Sequence, residues 1–136
     1  GETVIGSDEM LTHIELDEPP PFSGGAYIKL GRRRTLVIAL VNVAAFLSLD
    51  AATGVIERAR IVLGAVAPTP MKARTTEKLL IGEKPSESLF KEAGEIAAKE
   101  CDPIDDYRGS AEYRRAMVNV LTRRALAVAY QEALRS

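Results

Sequence analysis

The stretch that decides the fold runs TLVIALVNVAAFLSL (35–49), DAATG (50–54) and VIERARIVLGAV (55–66). Periodicity alone leaves the first part open between a buried helix and a buried strand. Val37, Ile38, Val41 and Val43 favour the strand, because β-branched side chains fit a pleated surface better than a helix turn. The neighbours point the same way. Asp50 to Gly54 reads as a hairpin turn, and 55–66 alternates apolar and polar residues. Together they predict a long antiparallel hairpin, with Gly64 as a bulge.

Upstream, MLTHIELD (10–17) also alternates. Met10, Thr12, Ile14 and Leu16 share one side, and Leu11, His13, Glu15 and Asp17 the other, as in a strand with one wetter face. Pro19-Pro20-Pro21 then stops sheet pairing, because proline has no backbone donor. With Ser23-Gly24-Gly25 it reads as a loop and a domain boundary. AYIKL (26–30) is a short strand, followed by Gly31 and the run Arg32-Arg33-Arg34.

Downstream, Pro68-Thr69-Pro70 ends the sheet. Thr69 reads as a helix cap with Pro70 at the first helical position, and Gly82 as the stop. Ser86 caps a second helix with the apolar stripe Leu89, Phe90, Ala93, Ile96 and Ala97, ended by Asp102-Pro103. Ser110 caps a third over 111–134, roughly 36 Å long. Its predicted buried face is Tyr113, Met117, Val120, Leu121, Ala125 and Val128. Its predicted wet face is Glu112, Arg115, Asn119, Thr122 and Arg123. Strands first and helices afterwards imply an α+β, two-layer sandwich: an antiparallel sheet of three to four strands followed by three helices.

The 136 residues suit one domain with a real core, 46% hydrophobic and 27% charged. A net charge of −1 argues against a general nucleic-acid binder. The longest apolar run, Leu36 to Leu49, is interrupted by Asn42 and Ser48 and is too short for a membrane helix, and no basic-then-apolar leader is read. A single cysteine, Cys101, excludes an internal disulfide and leans towards a cytoplasmic setting.

Several chemistries are missing. There is no glycine-rich phosphate loop, no cysteine pair for zinc or iron–sulfur, and no Gly-x-Ser-x-Gly elbow. His13 is the only histidine and reads as a surface strand residue. Cys101, between Glu100 and Asp102, reads as structural, because neighbouring carboxylates disfavour the thiolate. Asp102, Asp105 and Asp106 lack the glycine and closing glutamate of a calcium loop and read as turn and cap residues. Arg32–Arg34 suits phosphate oxygens, although such runs are commonly solvated surface. No nucleophile, general base or metal ligand is proposed.

Four separated strings carry a family resemblance: AYIKLGRR (26–33), IALVNVA (38–44), ARIVLGAVAPTPMKA (59–73) and RGSAEYRRAMVNVLTRRAL (108–126). In this order they resemble the C-terminal domain of the FAD-binding, medium subunit of molybdenum hydroxylases, the carbon monoxide dehydrogenase and xanthine dehydrogenase family. The resemblance covers about residues 23–130. It implies a small antiparallel sheet with helices that covers one side of the flavin. It also implies that residues 1–18 are the last strand of the preceding FAD-binding domain, and 19–136 the C-terminal-type domain.

The implied cofactor is FAD, shared with that preceding domain. The implied partners are the preceding domain, an iron–sulfur small subunit carrying [2Fe-2S] clusters and a large subunit carrying the molybdenum cofactor, with no nucleic acid and no membrane span. Electrons from the iron–sulfur clusters would pass through FAD to an external acceptor. Carried over residue by residue, Lys29 matches the lysine that reaches FAD, where a cation stabilises an anionic flavin or its phosphates. Leu11 matches a leucine contacting FAD at the domain junction. Ile38 falls where an apolar side chain excludes water from the isoalloxazine. The family often has an acid where Val37 stands. Its phosphate-binding glycine loops belong to the preceding domain, so these 136 residues alone are expected to hold FAD weakly or not at all and to be inactive. The competing reading is a non-catalytic scaffold or subunit-interaction module, docking through Arg114, Arg115, Arg123 and Arg124.

Overall fold

The computed structural model describes residues 3–33 and 38–136. Four strands, β1 (Ser23–Leu30), β2 (Val41–Leu49), β3 (Ile56–Gly64) and β4 (Met71–Lys72), form one antiparallel sheet in the order β1-β2-β3-β4. Three helices follow: α1 (Arg74–Leu80), α2 (Glu87–Glu100) and α3 (Ala111–Ala133). The α+β architecture with strands before helices is the one the sequence predicts. Arg34 and Val37 lie outside the described residues, as do the first residues of the predicted strand at 35–49.

The hairpin forms, although residues 38–40 of the expected 35–49 strand are not strand and β2 begins at Val41. Asp50 closes its turn by accepting hydrogen bonds from Thr53 N (2.7 Å) and Thr53 Oγ1 (2.6 Å), while Gly54 takes φ +69°. Alternation then sorts the two faces of the sheet. Val41, Val43, Ala45 and Leu47 of β2 lie beside Ala59, Ile61 and Leu63 of β3 on the covered face. α3 packs on that face across β1 and β2, α2 packs on α3, and α1 bridges β3 and α2. The core is completed by Phe90, Ala93 and Ala97 of α2 and Val118, Leu121, Ala125, Leu126 and Ala129 of α3.

Five further local expectations change. Residues 10–17 form no strand among the described residues. Alternation suits a strand only where a neighbouring backbone accepts it, and Met10, Ile14 and Leu16 stay exposed. Ser23-Gly24-Gly25 is not loop but the start of β1, and Gly24 is needed there. A Cβ on it would stand 2.2 Å from Ala129 O and 2.5 Å from Ala133 N, so α3 sits directly on the strand backbone. The bulge falls between Ser48 and Leu49, not at Gly64, whose missing side chain leaves room for Asn42 opposite.

The first helix starts at Arg74, because Met71–Lys72 first pairs with Val62 and Leu63 as β4. Thr69 is therefore no cap. Glu100, the last residue of α2, accepts instead from Thr75 N (2.8 Å), Thr76 N (3.0 Å) and Thr76 Oγ1 (2.7 Å). Ser86, Ser110 and Gly82 play their expected terminal roles. Finally, α3 is rotated from the expected face. Leu121 and Ala125 are buried as expected, but Tyr113 and Val128 are exposed, and Arg114, Val118, Thr122, Ala129 and Ala133 are buried in addition. Close approach to Gly24 selects small side chains for the contact, not the largest apolar ones.

Candidate functional site

The opposite face of the sheet is covered by no helix. Register and alternation place Gly25, Tyr27 and Lys29 of β1, Asn42, Ala44 and Phe46 of β2, Arg58, Arg60 and Val62 of β3, and Lys72 of β4 on it. Tyr27 is 63% exposed. Lys29, Arg58, Arg60 and Lys72 are exposed, and none joins an ion pair among the described residues. A chain of net charge −1 thus gathers four cations and two aromatic rings on one sheet face. Such a face suits an aromatic or anionic group, by ring contact and by charge. The face mixes apolar and cationic side chains.

Lys29 lies near one end of this face, opposite Asn42. At the same end the chain enters β2 through Ile38, which is 68% exposed. Ile38 lines a cleft of about 440 Å³ with Ala65, Pro68, Pro103, Ile104, Arg108 and others. The fold therefore brings Lys29 and Ile38 to one end of the sheet. Leu11 lies in the N-terminal segment, 65% exposed and outside the core.

One arginine holds the floor of that cleft, and the sequence offers it only as a docking residue, not as part of the flavin site. Arg114, only 3% exposed, donates from Nη1 to Leu40 O (2.6 Å) and Ala65 O (3.0 Å), and from Nη2 to Asp106 Oδ1 (2.7 Å). Asp106 also accepts from Arg108 N (2.8 Å) and Arg108 Nε (2.9 Å). Partial burial pushes the Asp106 carboxyl up. The hydrogen bonds from Arg108 and Arg114, with the Arg114 charge, outweigh this and hold it well below the usual carboxylate range. Asp105 caps α3 by accepting from Ala111 N (2.6 Å). The turn-and-cap reading thus stands for Asp105 and Asp106, while the Asp102 carboxylate makes no cap among the described residues and faces Arg115 instead, and Asp106 additionally neutralises a buried cation. Helical spacing carried the missed signal: 114, 118, 121, 122 and 125 form one stripe.

The remaining candidates resolve simply. Cys101 is buried, donates to Ala98 O (3.3 Å), and burial pushes its thiol up, away from the reactive thiolate. His13 is exposed beside Thr12 and Glu15. Arg32 donates to Tyr107 O (3.5 Å). The helix arginines do not share a docking face: Arg114 is buried, Arg115 faces Asp102 (3.5 Å), and Arg123 and Arg124 line an apolar groove between α2 and α3. The described residues contain no acid, histidine and cysteine group able to hold a metal ion, and no helix long and apolar enough to cross a membrane.

Comparison with known proteins adds a family. Residues 26–129 match the model of the CO dehydrogenase flavoprotein C-terminal domain. The carbon monoxide dehydrogenase medium chain of Afipia carboxidovorans is 36% identical over 124 residues, covering 91% of this chain and 42% of that protein. The glyceraldehyde dehydrogenase medium chain of Sulfolobus acidocaldarius is 34% identical, covering 90% of this chain and 42% of that protein. The solved carbon monoxide dehydrogenase from Hydrogenophaga pseudoflava superposes with TM-score 0.75 at 33% identity, over 81% of this chain and 37% of that one. The chain spans about two fifths of the length of these curated relatives.

Proposed function

The chain belongs to the family of CO dehydrogenase flavoprotein C-terminal domains, and from that premise we propose that it closes over FAD in the medium subunit of a molybdenum hydroxylase. Bound there, FAD supplies the chemistry of relaying electrons from iron–sulfur clusters to an external acceptor. The chain's own residues hold and shield it. Lys29 sets a cation against a flavin anion or phosphate, Ile38 excludes water at the end of the sheet, and Leu11 contacts the cofactor at the junction with the preceding domain.

The observation that carries this reading is the uncovered sheet face, where Lys29, Tyr27 and Phe46 combine charge with ring surface. Residues 1–18 then complete the preceding domain's sheet, which accounts for a strand pattern at 10–17 that has no partner among the described residues. Partners are the preceding domain, the iron–sulfur small subunit and the molybdenum large subunit, in the cytoplasm. Relatives named for carbon monoxide and for glyceraldehyde fit the same domain, so substrate choice belongs to the large subunit.

A second reading, a subunit-docking module without flavin contact, is favoured by the groove of about 610 Å³ between α2 and α3, lined by Phe90, Val120, Ala127 and Tyr130. Flavin fluorescence titration separates the two. The preceding FAD-binding domain is titrated with FAD alone and again with this chain added. Tighter binding in the mixture, removed by Lys29→Ala, is expected. No change on adding this chain, while it still binds the small or large subunit, leaves the docking reading instead.

A further inference from the structure

Beyond Asn42↔Gly64, the last rung joining β2 and β3, the two strands part. Leu40 O and Ala65 O face that opening, and both accept from the same Arg114 nitrogen, at 2.6 and 3.0 Å. Ala65 takes φ +61°, a left-handed conformation that a non-glycine residue holds only when its surroundings impose it. The guanidinium is thus wedged where the ladder ends. On one side its peptide contacts lead to Ile38 and Ala39, on the other to Ala67 and Pro68, which together line the cleft. The other terminal nitrogen, Nη2, donates to Asp106, which is itself held by Arg108.

We propose that Arg114 is a positioning residue for the flavin-facing end of the sheet, clamping the start of β2 and the exit of β3 so that Ile38 is presented at a set height beside Lys29. This rests on the flavin-closing reading above and names the device that shapes that site. Three features support positioning over simple core filling. The contacts run to backbone carbonyls of two different strands, so they set main-chain position directly. The planar fork is what reaches both carbonyls and the carboxylate at once; an ammonium on a flexible stem does not match that spread. The segments fixed lead to an exposed apolar residue, Ile38, which has no packing reason of its own to be held in place.

The test uses the full-length flavoprotein subunit within its assembled enzyme. Arg114→Lys keeps a charge facing Asp106 but gives up the fork. Leu80→Ala, in α1 away from the cleft, supplies a comparably destabilised control. Amide exchange of Leu40 and Val41, FAD dissociation and the visible circular dichroism of bound flavin are measured on both. Arg114→Lys is expected to speed exchange at those amides and FAD release by about ten-fold each and to alter the flavin band shape, because small displacements at a site carry large functional effects. Leu80→Ala is expected to lower the melting temperature and leave the flavin readouts unchanged.

Equal flavin behaviour in the two variants overturns the proposal, provided Lys29→Ala and Ile38→Ala do disturb the flavin. If those two are also silent, the flavin-closing reading itself fails and the proposal goes with it. Should Arg114→Lys fail to fold, Asp106→Asn is read the same way, with the exchange at Leu40 and Val41 deciding.

Discussion

The two faces of one sheet are built from the same strands and end up as opposites. On the covered face Val43, Ile61 and Leu63 are fully buried against α3 and its neighbours, and small residues let helix and strand meet backbone to backbone at Gly24. On the open face Lys29, Arg58, Arg60 and Lys72 stand exposed around Tyr27 and Phe46. A residue two positions along stays on its face, and a residue one position along changes face. Stability is therefore concentrated on one side of the backbone, leaving the other free to carry recognition.

The largest expected effect breaks the covered face. Ile61→Ala should cost about 2–5 kcal/mol in chemical denaturation, since it empties a fully buried site in the central hairpin. Gly24→Ala should follow at about 1–3 kcal/mol, because its methyl would meet the α3 backbone and push the helix off β1. A loss below the uncertainty of the unfolding curves would mean that α3 does not rest on the strand as described.

Acid titration sharpens the contrast next. Asp106 and Glu100 are both held below their ordinary values of 3.8 and 4.5, by their hydrogen bonds against the opposing effect of burial. A carboxyl depressed on folding adds stability that is fully present above its unfolded value and lost as pH falls through the folded one. Stability should thus hold near neutrality and decline below about pH 4.5. Glu100→Gln, which weakens the cap on α1, should cost about 1 kcal/mol or less at pH 7 and flatten part of that decline. The smallest expected effect is on the open face. Lys29→Ala should change stability by less than about 0.5 kcal/mol, while weakening FAD binding by the complex with the preceding domain. A large stability loss there would mean that Lys29 belongs to the fold and not to the site.

Much of this contrast is legible in the one-dimensional pattern. The β-branched run, the Asp50–Gly54 turn and the alternation of 55–66 identify the hairpin, and Ser86 and Ser110 mark two helix starts. These signals are local, so a sequence carries them openly. Lys29 and Ile38 came from resemblance, and their sharing one end of the sheet follows from β1–β2 pairing. The sequence places Arg114 only on a docking surface, whereas the fold buries it. Its burial depends on two carbonyls and a carboxylate contributed by residues 40, 65 and 106, which only the folded chain assembles.

By itself, the sequence determined the order of strands and helices, the turn chemistry and the family, since each rests on side chains a few residues apart or on motifs in register. The tertiary structure alone decided which face of α3 is buried, where the sheet extends to β4, that 10–17 has no partner among the described residues, and what the arginine at the end of the ladder holds. Those outcomes turn on close approach between distant backbones. A missing Cβ at Gly24 and a guanidinium between two parting strands weigh more there than the hydrophobicity of any single position.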